Sequence, residues 1–184
     1  MTIVQNEAKW TNRFLIVSVI QGAIATFLTI LLALFIISTS YAEHLVSKLL
    51  DDPSIGFIEI TALAGLGVYF LIGVLGNGVL AFIYHYFESL LKKNFHNLSG
   101  VLASSHLILT NIGVFSVSII MIYAGYLGDT AVFSQDIAGF GMSPDEVSQN
   151  MLNHFIVPIG IMLLVSSLGA ICGGIVFIIE FIKK

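Results

Sequence analysis

Residues 153–180 read NHFIVPIGIMLLVSSLGAICGGIVFIIE, and no Asp, Glu, Lys or Arg falls between Glu146 and Glu180. A membrane-spanning helix needs about 20 predominantly apolar residues. This stretch is longer than that. Hydrocarbon offers the backbone no water to bond, so such a segment crosses only as a helix. Three similar gaps in charge precede it: Arg13 to Glu43, Glu59 to Glu88, and Lys93 to Asp129. Spans are therefore expected near residues 14–39, 59–87, 101–127 and 153–180. Barrel strands would be shorter and would alternate in polarity. The expected fold is an all-α membrane protein: a four-transmembrane-helix up-down bundle, one membrane domain over residues 1–184.

Composition agrees. The chain is 57% apolar and 10% charged, against roughly 25% charged in a soluble domain. So few charges do not cover a water-facing fold of this length. The apolar run from Phe14 to Ile37 is too long for a signal-peptide core, so the first span reads as a retained helix. The single cysteine, Cys172, lies in an apolar run, which rules out an intrachain disulfide and a thiolate zinc site. The basic residues form only membrane-flanking pairs, with no nucleic-acid footprint.

The basic residues also give direction. Lys9 and Arg13 precede the first span, Lys92 and Lys93 lie in the middle loop, and Lys183 and Lys184 end the chain. Only Lys48 falls elsewhere. The positive-inside rule then puts both ends and the middle loop in the cytoplasm, with the cell membrane as the expected location. The outer loops carry Glu43, Asp51, Asp52, Glu59, Asp129, Asp136, Asp145 and Glu146. That acidic face is a solvated surface or an attraction for a cationic partner.

Short outer-surface helical segments are expected. Residues 41–50 have helical apolar spacing, ended by Asp51-Asp52-Pro53. Ser143-Pro144-Asp145-Glu146 reads as a capping box with proline at the first helical position, so a helix should start there and run into the fourth span. Between them, residues 128–142 carry Val132, Phe133, Ile137 and Phe140 and suit an outer cap or a partner-binding loop.

Small residues let membrane helices approach closely. The second span holds Gly65, Gly67, Gly73, Gly76 and Gly78. The fourth holds Gly169-x-x-x-Gly173 with Gly174 beside it. In the third, Ser99, Ala103, His106, Thr110 and Gly113 share one face at spacings of three and four. These faces should turn inward, and the GxxxG serves either internal packing or an oligomer contact. Pro158 frees the carbonyl of His154 one turn inside the fourth helix.

The histidines carry the candidate chemistry. His106 falls inside the third span, where an ionisable residue is a site candidate. His85 lies at similar depth on the second, and His44 and His154 fall near the outer interface. Imidazole binds haem iron, making His85 and His106 candidate cofactor ligands. Haem between helices suits diagonal partners, however, and in a simple ring these two histidines sit on neighbours. A transition metal fits more easily, with His85, Glu88 and His106 as ligands. Asn77, Thr110 and Asn111 are candidates for a polar path, although no span buries a carboxylate or arginine deeply. No phosphate-binding glycine loop, paired-histidine zinc motif or nucleophile elbow occurs. The leading expectation is a non-catalytic subunit or accessory component of a larger membrane complex, partnered by the bilayer and by other subunits or further copies. The alternatives are a haem- or metal-binding redox subunit using His106 and His85, and a small solute transporter.

Overall fold

The computed structural model describes residues 8–38, 56–132 and 140–183. Among them the architecture is helical, without strands. Helix α1 is Lys9–Ser38. Helix α2 covers residues 56–90, α3 is Leu98–Val132, and α4 covers residues 144–182. All four are long and apolar enough to cross a membrane. The expected segment at residues 41–50, with Lys48, Glu43, His44, Asp51 and Asp52, lies outside the described residues, as do Phe133, Asp136 and Ile137.

Helix α4 starts where the capping box puts it. The Ser143 amide and hydroxyl both donate to the Glu146 carboxylate at 2.9 Å, and the Glu146 amide donates back to the Ser143 hydroxyl at 3.4 Å. The amide bond, and then the hydroxyl bond, hold the Glu146 carboxyl below its ordinary range. The helix continues through Pro158 without a break. Where α4 begins it packs on the end of α3: Val147 and Ala131 are buried together, and the Met142 amide donates to the Ala131 carbonyl at 2.9 Å.

Helix α1 begins differently. Ala8 precedes it, a residue with no side chain to cap. The cap comes instead from Glu88 near the end of α2. Its carboxylate accepts from the Trp10 amide at 2.9 Å, the Thr11 amide at 3.0 Å and the Thr11 hydroxyl at 2.9 Å. These amides are orphans of the first helical turn, where negative charge is favoured.

Helices α3 and α4 share the most extensive contact. A methyl group on Gly113 would lie 2.7 Å from the Met162 carbonyl oxygen, and one on Gly169 would lie 2.6 Å from the Thr110 amide. The face of Ser99, Ala103, His106, Thr110 and Gly113 is buried, and the GxxxG of α4 lies against it. Gly65 brings the first half of α2 close to Ser118 and Met121 of α3. Gly67 and Gly174 have nothing near them. Helix α1 rests on the second half of α2.

Within α2 the stretch Tyr69–Gly76 is a widened, π-type segment. Two of its carbonyls accept side-chain donors: Gly73 from the Asn77 amide at 2.6 Å, and Val74 from the Ser18 hydroxyl at 2.9 Å. The loop from Leu91 to Asn97 turns the chain between α2 and α3. Lys92 and Asn97 there both adopt φ of 52°, and Phe95 is buried.

Candidate functional site

Two interior clusters hold His106 and the Asn77–Asn111 pair. The first forms where the starts of α1 and α3 meet the ends of α2 and α4. Its centre is Tyr84, which is fully buried. Ring centroids of Phe14, Phe177, Phe95, Trp10 and His106 lie 4.7, 5.1, 5.2, 6.2 and 6.3 Å from it. Tilted and stacked geometries at these separations suit aromatic quadrupoles. His106 is buried in this cluster, 5.3 Å from the Phe14 ring, with its Nδ1 3.4 Å from the Tyr84 hydroxyl. A side chain at Gly173 would run into the imidazole, so α4 passes directly over it.

His85 is one residue from Tyr84, yet faces elsewhere. One residue turns a helix by about 100°. His85 is exposed, and its Nδ1 pairs with the Ser89 hydroxyl at 3.1 Å. Glu88 is engaged at the start of α1. The structure therefore does not gather His85, Glu88 and His106. Among the described residues no group of three or more His, Cys, Asp or Glu side chains is placed to hold one metal ion. Contacts also cross between helices expected to be diagonal. Phe14 of α1 meets His106 of α3, and Tyr84 and Phe87 of α2 meet Phe177 of α4.

The second cluster lies further along the bundle. Asn77 of α2 donates to the Asn111 amide oxygen of α3 at 2.7 Å, and Asn111 donates back at 3.2 Å. The Asn111 amide also donates to its own helix at the Leu107 carbonyl, 2.7 Å away. Gln21 of α1 donates to the same Asn111 oxygen at 2.9 Å. One amide of α3 thus ties α1 and α2 to it. Thr110 is next in sequence but turns toward Gly169 of α4, so the polar path expected from Asn77, Thr110 and Asn111 divides between two helix interfaces. Four buried side-chain oxygens of the described residues have no hydrogen-bond partner: Gln21 Oε1, the Tyr69 hydroxyl, Thr110 Oγ1 and Ser118 Oγ. Such atoms are uncommon in folded proteins.

Sequence reasoning missed Gln21, Tyr69 and Tyr84. A signal for Gln21 was present: it is an amide alone in the apolar run after Arg13. Tyr84 reads as an interfacial aromatic beside His85 and Tyr86, and only its neighbours in space reveal its burial.

At the same end of the bundle, Glu180 is fully buried and pairs with Lys183 at 2.5 Å. The Lys93 ammonium donates to the Lys183 carbonyl, joining the loop after α2 to the end of α4. No family model, curated protein or solved structure matches this chain.

Proposed function

We propose that the chain is an integral protein of the cell membrane that crosses it four times, as an up-down bundle with both ends cytoplasmic. It acts there as a non-catalytic subunit or accessory component of a larger membrane complex. The observation that carries this reading is how the polar residues are used. Glu88 caps α1, His106 is packed among rings, and Gln21, Asn77 and Asn111 bond one another. These groups join helices to helices. The outside, in contrast, is apolar.

Helix α4 illustrates this. Its face away from α3 exposes Leu164, Leu168, Ile171, Ile175 and Ile178, with Gly160 open on the same stripe. An apolar helix face with a glycine in it suits close approach by a further membrane helix. The orientation is supported by the basic residues of the Tyr84 end, where Lys9 and Lys93 line one pocket and Lys93 bonds to Lys183.

The test is cross-linking in native membranes from a cysteine placed at Leu164, after Cys172→Ser, followed by purification in mild detergent. A defined adduct with a second chain is expected. A monodisperse monomer without adduct overturns the subunit reading. A Soret band or stoichiometric metal in the pure protein would replace it with the redox reading centred on His106.

A further inference from the structure

A groove of about 290 Å³ runs between α1 and α3. Its walls are Ile16 and Val17 on one side and Leu107 and Ile108 on the other, with Arg13 and Ser104 at one end. One turn beyond Val17 and Leu107, the Gln21–Asn111 hydrogen bond joins the two helices. From Arg13 to Gln21 is eight residues, or about 12 Å of helix. The groove is therefore polar and cationic at one end and apolar along its length.

Arg13 is available there. Its guanidinium lies over the Trp10 ring, 4.7 Å from the centroid, and among the described residues it has no carboxylate partner. The nearest first-turn amides of α1, at Trp10 and Thr11, already donate to Glu88. Lys9 stands 6.0 Å from the same ring. Glu88 and Glu180, the carboxylates described at this end, are thus engaged by other groups, and Arg13 pairs with neither.

We propose that this groove binds one anionic phospholipid, with the phosphate on Arg13 and an acyl chain along Ile16, Val17, Leu107 and Ile108. The inference rests on the membrane reading above. Three things support it. Guanidinium matches phosphate in charge and in its fork of donors. The basic residues of this end, Lys9, Arg13, Lys92 and Lys93, mark the depth at which headgroups lie. The apolar walls begin one turn deeper, where acyl chain begins.

The experiment is native mass spectrometry of the delipidated full chain, titrated with phosphatidylglycerol or with phosphatidylcholine of the same acyl chains. The unaltered protein is expected to prefer phosphatidylglycerol roughly fivefold, the gain one basic group gives near an anionic headgroup. Arg13→Gln should remove that preference, weakening phosphatidylglycerol more than phosphatidylcholine. Ile108→Trp fills the groove and should weaken both lipids, and it decides the matter if Arg13→Gln does not fold. Lys92→Gln, a cation outside the groove, should keep the preference. Equal binding of the two lipids by the unaltered protein overturns the proposal. So does equal loss in Arg13→Gln and Lys92→Gln, or intact binding in Ile108→Trp. Alkaline carbonate extraction reads the membrane proposal separately: release of the chain overturns that proposal whatever the lipid titration gives.

Discussion

Asn77 and Asn111 face each other across α2 and α3 and exchange amide hydrogen bonds in both directions, at 2.7 and 3.2 Å. Because Gln21 joins the same Asn111 oxygen, the pair is a knot among three helices. Replacing Asn111 by alanine removes the shared acceptor and strands two donors. A loss of about 2 kcal/mol is expected, several interhelical bonds at once. Unfolding in detergent with increasing dodecyl sulfate would measure it. The Asn77→Ala, Asn111→Ala cycle should give a coupling of about 1 kcal/mol. Additive losses would show that the two amides act separately.

Gly173 and Gly174 are adjacent but should respond oppositely to alanine. At Gly173 the methyl meets the His106 ring and α4 must move away, at a cost of about 1–3 kcal/mol. At Gly174 nothing lies within 4 Å, and the gain in helix propensity is up to about 1 kcal/mol. Thermal transitions of the two variants in one detergent make the comparison. Equal shifts would mean that α3 and α4 are not packed through this face.

Glu88 serves a helix that begins 79 residues before it. Glu88→Gln keeps the shape and drops the charge, at a cost of about 0.5–1 kcal/mol. Glu88→Ala removes the cap and should cost about 1–2 kcal/mol. Hydrogen exchange should quicken at the Trp10 and Thr11 amides in both variants, more in the second. Unchanged exchange would show that α1 is capped by something else.

The Ser143–Glu146 cap should depend on pH. The folded carboxyl sits below its ordinary value of 4.5, chiefly through the Ser143 amide bond and secondly through the hydroxyl. A lowered value means that the contribution is full above pH 4.5 and fades as pH falls through the folded value. Amide exchange at Ser143 and at residues 145–147, corrected for intrinsic rates, should therefore show less protection in acid. In Ser143→Ala the same residues should be less protected at neutral pH and less sensitive to acid.

What could be read from the sequence was local or periodic. Ser143 and Glu146 are three residues apart, so their cap needs no knowledge of the fold. The buried face from Ser99 to Gly113 follows from helical spacing alone. His85 and His106 share a depth by their near-equal spacing from the middle loop, but depth does not fix direction. A rotation of one residue puts Tyr84, not His85, beside His106. In the sequence Glu88 reads as an available ligand because its partners, Trp10 and Thr11, are distant in the chain. Long-range partners of this kind leave no periodic trace.

Tyr84 touches rings from every other helix, and one of them, Phe177, lies on α4, which follows the other three in sequence. That has a consequence for biosynthesis. Synthesis runs from the N-terminus, so α1, α2 and α3 emerge before the ring that completes their shared core. Until Phe177 arrives, Tyr84 and His106 lack a wall on the α4 side. Of the four helices, α4 is therefore the one that completes the aromatic core around Tyr84. The Lys93 contact to Lys183 likewise waits for α4, linking the middle loop to the end of that helix.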